Sequence, residues 1–409
     1  VKRRVAMRAT SGYGLSVVIS GIVSIAVIPA VIIAAGEAAW TTIAVAQAVA
    51  GFAFVVAVFG WGVTGPTDVA AMPVAERGGF FFDSLLSRTW LTVLVVPIAV
   101  VLAISLSDGD PWLAGLTVSS GILVALGAGW FFVGEKSPIR FLLLDTLPRI
   151  AGTMIGAVAL VATGDARLFA GLQLAGVLAA AAASSVDILR RYDGWSFTIS
   201  PVRAVSNLSG QGAPVTMAVT TSLYVNVPIV LVQLIIPSAT AVYALAERIV
   251  RLALYSTRPV VQVAQGYVPN ADRAETVARA RRVILLALSL GILGGWAYAL
   301  LAPWMGALLS GGTIAIASAL AIAMGVNLAA LLASQLTGFA CLTALDLARV
   351  LARSTIVGAV VGIVLMLPFT IWFGVVGLAW GLAISEVSVL AVQLLALRSA
   401  TSAQRHVTA

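Results

Sequence analysis

Of 409 residues, 61% are hydrophobic and only 10% are charged, while the formal net charge is +8. A water-facing surface of this size needs more polar residues than that, which excludes a soluble globular domain and places the chain in a bilayer. The one cysteine, Cys341, excludes an internal disulfide and reads as a small buried apolar group.

In chain order, about twelve apolar runs are long enough to cross a hydrocarbon core roughly 30 Å thick at about 1.5 Å per helical residue. They fall at approximately 11–35, 42–63, 88–107, 112–134, 148–164, 167–186, 212–236, 239–262, 282–308, 313–342, 352–372 and 376–397. The first follows Lys2, Arg3 and Arg4 in the manner of a secretory signal. It is too long for one and is followed at once by another run, so it reads as a retained helix. The fourth ends in WFFVGEKSPIR, Trp130–Arg140, which turns from aromatic to charged within two residues. Trp130, Phe131 and Phe132 are expected to form an aromatic belt at the interface, with Glu135 and Lys136 the first side chains to meet water.

Basic residues decide orientation. Lys2, Arg3, Arg4 and Arg8 precede span 1, and the even-numbered connections and the C-terminal tail hold nearly all the rest: Arg77 and Arg88; Lys136, Arg140 and Arg149; Arg190, Arg191 and Arg203; Arg258, Arg273, Arg279, Arg281 and Arg282; Arg349 and Arg353; Arg398 and Arg405. The odd-numbered connections carry only Arg167, beside Glu37, Asp108, Asp110 and Asp165. Both termini are therefore expected in the cytoplasm. The basic residues line one membrane face without any nucleic-acid motif, so the expected partners of that rim are anionic lipids, and no nucleic acid.

Two halves are suggested by an offset of about 200 residues. Ser11-Gly12-Tyr13-Gly14 is echoed by Ser209-Gly210-Gln211-Gly212, Ala44–Val49 by Ala244–Ile249, and Pro29 by Pro228. An even number of helices per repeat makes the halves parallel. The expected organisation is an N-terminal six-helix lobe over 1–186, a cytoplasmic linker over 187–211, a second six-helix lobe over 212–397 and a tail over 398–409, with the lobes flanking a central cavity.

Ionisable residues inside a transmembrane helix cost roughly 2.5–3.5 kcal/mol each and normally face a partner or a cavity. Span 8 carries Glu247, Arg248 and Arg251 well inside it. Glu247 and Arg251 stand four apart with the acid first, which suits an ion pair on one face, and the stretch holds one more arginine than acid. One reading is a structural ion pair packed against another helix. The other is an anion site, because a guanidinium fork matches phosphate oxygens. Glu386 in span 12 is either a proton or cation site or an arginine's partner, and Asn226, Tyr224 and Gln47 are further polar candidates for the cavity lining.

With span 4 ending Trp130-Phe131-Phe132-Val133-Gly134-Glu135-Lys136, the chain resembles the oligosaccharide flippases of the multidrug/oligosaccharidyl-lipid/polysaccharide (MOP) exporter superfamily, many of which end this helix in Trp-Phe/Tyr-Phe-Gln-Gly-x-Glu-Lys/Arg. Val133 stands where glutamine is usual. Gly60-Trp61-Gly62-Val63-Thr64-Gly65-Pro66-Thr67-Asp68 is similar to the family's helix 2 ending, with Asp68 in place of its arginine. Tyr243–Ile249 and Tyr267-Val268-Pro269 are similar to its helix 8 pattern.

The resemblance implies a lipid-linked oligosaccharide, built on undecaprenyl diphosphate and moved from the inner to the outer leaflet by rocking of the lobes, in the bacterial plasma membrane, with polysaccharide polymerase or assembly proteins as partners. It implies no bound cofactor, with a proton or sodium gradient as the drive and Glu247 or Glu386 as the coupling acid. Arg248 and Arg251 would hold the diphosphate, and Arg8, Arg140, Arg149 and Arg258 would attract it at the cytoplasmic entrance.

Three other readings compete, beside that of a transport-dead relative kept as a membrane scaffold for glycan assembly, against which the intramembrane charges argue. A major facilitator would show a basic Gly-x-x-x-Asp-x-x-Gly-Arg-Arg/Lys loop between spans 2 and 3, which residues 64–88 lack. A polymerase or ligase needs a sizeable outward loop with catalytic arginine or histidine, whereas the outward connections are short and the sole histidine, His406, is in the tail. The expectation is therefore not an enzyme. An ion-coupled multidrug exporter of the same superfamily is the main alternative, and the net-positive cluster of span 8 tilts away from it.

Overall fold

The computed structural model describes the backbone of residues 2–193, 195, 201–208 and 212–403. The side chains of 2–12, 14, 15, 17, 18, 201–203, 212–214, 216, 217, 220, 221, 223 and 400–403 are outside the described ones. Among the described residues every regular element is helical, which is what a bilayer requires of a chain that has no closed barrel in which to satisfy its backbone. In order the helices are α1 (Lys2–Val58), α2 (Trp61–Ala71), α3 (Arg77–Leu106), α4 (Pro111–Leu123), α5 (Gly129–Gly134), α6 (Pro138–Arg140), α7 (Leu147–Thr163), α8 (Ala166–Arg191), α9 (Pro201–Ser206), α10 (Gly212–Ile235), α11 (Thr240–Tyr267), α12 (Arg273–Ser310), α13 (Ser318–Leu336) and α14 (Ala348–Ala403).

Two of these are too long for a single crossing. α1 breaks at Gly36, with φ 84° and ψ 171°, and α14 breaks at Gly374, with φ 65° and ψ −152°. Only glycine takes such angles without a Cβ penalty. Both breaks fall in the short gaps expected between spans 1 and 2 and between spans 11 and 12, so each long helix supplies two crossings. Among the described residues eight stretches are long and apolar enough to span a membrane, and the doubled ones together with α10 and α11 bring the fold to about twelve crossings.

The chain divides into two compact units, Val1–Val230 and Leu231–Ala409. In the first, Ala46, Val49, Ala50 and Ala53 of α1 pack on Ala99 and Ala103 of α3 and on Ala114, Val118 and Ile122 of α4. Between α7 and α8 a methyl group on Gly152 would lie 2.5 Å from the Leu172 carbonyl oxygen. In the second unit, α12 lies equally tight on α13, where a Cβ at Gly295 would stand 2.5 Å from the Gly325 carbonyl oxygen. Without water to drive apolar faces together, membrane helices gain most where small residues let the backbones approach.

Two spans are more broken than the sequence suggests. Span 4 is α4, a tight turn at Val124–Leu126, an extended Gly127 (ψ 157°) and then α5. Span 5 starts early, as α6 followed by a π-helical turn at Phe141–Thr146 that leads into α7. The described residues that follow α8 stay on the first unit. Ser87 Oγ of α3 donates to the carbonyl of Ala204 in α9 at 2.9 Å, and the Trp195 ring stacks on Phe82 with centroids 5.7 Å apart.

Candidate functional site

The side chains singled out in the sequence fall in two places. In the second unit α11 is amphipathic. One face, comprising Ala241, Ala244, Leu245, Ile249 and Val250, is buried. Along another run Glu247, Arg251, Tyr255, Arg258, Gln262 and Gln265, spaced four, four, three, four and three apart. That spacing keeps them on one stripe of a helix with 3.6 residues per turn, about 27 Å long at 1.5 Å per residue. Glu247 and Arg251 are half-buried, and the four below them are exposed. Their charges and amides are why α11 falls short of the hydropathy of the other crossings.

Within the stripe Arg251 Nε donates to Glu247 Oε1, forming the ion pair expected from their spacing. Both keep access at their side chains, 29% for Arg251 and 19% for Glu247. Arg248 is half-buried, with Glu247, Arg251 and Tyr255 as its electrostatic neighbours. Tyr298 of α12 fixes this turn from behind: its hydroxyl donates to the Ala246 carbonyl at 2.8 Å. Further down, the Arg258 guanidinium lies over the Tyr255 ring, 4.5 Å from its centroid. Glu386 is buried in α14, where the neighbouring Ser385 hydroxyl donates to the Gly358 carbonyl at 2.7 Å.

In the first unit Asn226 of α10 lies on Gly51 of α1, so closely that a Cβ at Gly51 would stand 2.8 Å from Asn226 Oδ1. Ser222 Oγ donates to the Gly51 carbonyl at 3.0 Å and Asn226 Nδ2 donates to Ser222 Oγ at 3.1 Å. Gln47, one turn before Gly51, and Tyr224 are half-buried. Of the arginines expected at the entrance, Arg140 reaches Asp187 at 3.6 Å and Glu135 at 3.9 Å, and Arg149 pairs with the buried Asp145 at 2.5 Å. The Arg8 side chain lies outside the described residues.

The WFFVGEK motif departs from its expected role. Trp130, Phe131 and Phe132 are buried rather than interfacial, packed with Trp61, Phe81 and Ile188. Gly127 and Gly129 break the helix ahead of them, so the three rings turn into the lobe instead of along a lipid-facing surface. Glu135 then gathers the ends of three helices. It accepts from both terminal nitrogens of Arg191 and, at 2.6 Å, from the Tyr192 hydroxyl, while Arg191 also bridges to Asp187 at 2.7 Å. Burial raises the Glu135 carboxyl, but the hydrogen bonds from Arg191 and Tyr192 and the nearby charges of Arg191 and Arg140 outweigh it and hold the group below the usual carboxylate range. Tyr13 of α1 donates to the Phe132 carbonyl at 2.9 Å, tying the first span to the same corner.

Arg88 is a second correction. Its charge suggests the rim, yet it is fully buried in α3, which begins eleven residues earlier than the apolar run. The broken fourth span explains it. Arg88 Nη1 donates to the Ala125 and Gly127 carbonyls at 2.7 and 2.8 Å, two acceptors that the break strips of helical partners. Its guanidinium also lies 5.3 Å from the Trp130 ring centroid. The signal that could have found this is the Gly-Ala-Gly at 127–129, which lowers the cost of breaking a helix and so of orphaning carbonyls inside an apolar segment. Tyr298 carried no comparable signal.

Among the described residues no three His, Cys, Asp or Glu side chains are grouped to hold a metal ion. No protein-family model matches the chain, and no curated protein does. Solved structures do. The inward-facing conformation of a multidrug resistance MATE family transporter of the MOP superfamily superposes with a TM-score of 0.67 at 14% identity, over 94% of this chain and 96% of that one. Lipid II flippase MurJ in its inward closed conformation gives 0.72 at 14% identity, over 96% and 87%. MATE in its bent conformation gives 0.56 at 15%, over 99% and 96%. At such identities the likeness is one of fold: this is an all-helical, multi-pass membrane protein of about twelve crossings in two lobes, built on the architecture that these transporters share.

Proposed function

We propose that this protein is a flippase that moves an undecaprenyl-diphosphate-linked oligosaccharide from the cytoplasmic to the outer leaflet of a bacterial plasma membrane by alternating access, with both termini in the cytoplasm. The observation that carries the reading is the polar stripe of α11. Six polar side chains in one line on a crossing helix, four of them exposed, are tolerated only where they meet water or a polar cargo rather than lipid. The stripe runs from Gln265 near the cytoplasmic end of α11 up to Glu247, with Arg258 midway, Arg251 one turn below Glu247 and Arg248 beside it, so cationic forks stand at two levels of the track. A diphosphate bears the matching charge, and sugars suit Gln262, Gln265 and Tyr255.

Glu247 can drive release. While it neutralises Arg251 the stripe holds less positive charge, so a proton or cation taken up at Glu247 would free Arg251 for phosphate and its loss would return the pair. Glu386 is the second candidate for this coupling. Anionic lipids at the rim and polysaccharide-assembly proteins are the partners this reading expects.

The MATE neighbours favour a second reading, export of organic cations, in which Glu247 is the ligand. Proteoliposomes separate the two. With a fluorescent undecaprenyl-diphosphate saccharide, the wild type should transfer the lipid between leaflets, and Arg248→Ala and Arg251→Ala should each be slowed at least ~10-fold, about 1.4 kcal/mol of lost stabilisation. If the wild type leaves this lipid in place yet carries a cationic dye in a Glu247-dependent manner, the exporter reading stands instead.

A further inference from the structure

At its cytoplasmic end α11 presents a different surface beside the polar stripe. Pro259, Val263 and Tyr267 stand four apart on it and, with Val283 and Leu286 of α12, line a shallow groove of about 380 Å³. The groove lies wholly within the second unit and its walls are open: Val263 is 71% exposed and Leu286 48%. Arg282 closes one end. Its guanidinium donates to the Tyr267 hydroxyl at 3.2 Å, and the nearby Glu275 carboxylate is paired to Arg279 at 2.9 Å, so Arg282 makes no salt bridge among the described residues. Tyr267 is itself fixed by Arg279, which donates to its carbonyl at 3.0 Å and lies 5.2 Å from its ring centroid. Arg258, next to Pro259 in sequence, belongs to the polar stripe and does not line the groove.

We infer that this groove is a binding site for an anionic glycerophospholipid of the cytoplasmic leaflet, with the phosphate on Arg282 and one acyl chain laid along Val263 and Leu286 toward Pro259. The dimensions agree. Pro259 to Tyr267 is about 12 Å of helix at 1.5 Å per residue, close to the depth of one leaflet's hydrocarbon, roughly half of 30 Å. The charge agrees as well, since the rim that ends the groove is the one the basic residues assign to the cytoplasm, where anionic lipids reside. An arginine already held against Tyr267 loses less side-chain entropy on meeting a phosphate than a freely rotating one does. The site rests on the orientation of the basic rim and not on the identity of the cargo.

The test measures lipid retention without transport, so that a failed flippase reading leaves it unaffected. The full chain is reconstituted in nanodiscs containing equal phosphatidylglycerol and phosphatidylcholine, and lipid surviving a stringent detergent wash is quantified by native mass spectrometry. The wild type should retain phosphatidylglycerol about five-fold over phosphatidylcholine, the preference expected of one arginine near the surface. Arg282→Gln should bring that ratio close to one, Arg282→Lys should keep most of it, and Val263→Trp, at an exposed position that needs no repacking, should lower retention of both lipids. A wild-type ratio near one, an unchanged ratio in Arg282→Gln, undiminished retention in Val263→Trp, or a polyprenyl phosphate retained from the expression host in place of the glycerophospholipid would each overturn the assignment.

Discussion

Arg88 in the first unit and Arg251 in the second both stand well inside crossing helices, and the two halves of the molecule use them differently. Arg88 is fully buried, with Nη1 committed to two carbonyls of a broken helix and its plane against Trp130. Arg251 keeps 29% of its side chain accessible and, among the described residues, is held by Glu247 of its own helix. A guanidinium that satisfies orphaned backbone cannot leave without exposing those carbonyls to hydrocarbon, whereas one paired to a neighbouring carboxylate can exchange partners at little cost. Depth in the membrane is therefore a poor guide to a binding arginine. Commitment of its donors and access to its surface are better ones.

Substitutions sharpen the contrast. Arg88→Ala should be the most damaging, lowering stability by about 3 kcal/mol or more, since two buried carbonyls and a ring lose their partner. Thermal unfolding followed by fluorescence-detected size exclusion would check it, and a wild-type melting curve would show that the break in span 4 satisfies itself. The Glu135 corner should come next, at about 2 kcal/mol for Glu135→Gln, because the carboxylate accepts charged hydrogen bonds from Arg191.

Its pH dependence has a definite sign. The folded carboxyl titrates below its unfolded value, so its contribution is complete above about pH 4.3 and is lost as pH falls through the depressed folded value. Melting temperatures taken from pH 6 down to pH 3 should show an acid decline in the wild type that is smaller in Glu135→Gln. Tyr298→Phe removes one hydrogen bond to the Ala246 carbonyl and should cost about 1 kcal/mol by the same melting assay. Arg251→Ala should cost least, about 0.5 kcal/mol or less for an i,i+4 pair, while producing the large transport defect. A melting temperature that fell as far in Arg251→Ala as in Arg88→Ala would erase the distinction between the two arginines.

Much of this was legible in the chain itself. Apolar run lengths gave the count of crossings, and the gaps at 36–41 and 373–375 located the turns that Gly36 and Gly374 make. The spacing of Glu247 and Arg251 anticipated their ion pair. The longer stripe from Glu247 to Gln265 is equally legible, since its period is local, although Tyr255, Gln262 and Gln265 on it carry no charge. What was misread depended on partners distant in sequence. Arg88 looks like a rim residue until Ala125 and Gly127 turn their carbonyls toward it, and the three aromatics of the WFF run look interfacial until Trp61 and Phe81 close over them.

By itself the sequence determined that the chain is a membrane protein, how many times it crosses, which face is basic and where a crossing helix carries charge. Those properties follow from the bilayer as a solvent, which reads hydropathy and lysine and arginine placement residue by residue. Only the tertiary structure decided which charges are structural and which are accessible, because that depends on whether a broken helix, a phenol or a second helix happens to supply the partner. The groove between α11 and α12 belongs to the same class. Its walls are ordinary valines and leucines, and only the packing of two helices leaves space between them and sets Arg282 at its end.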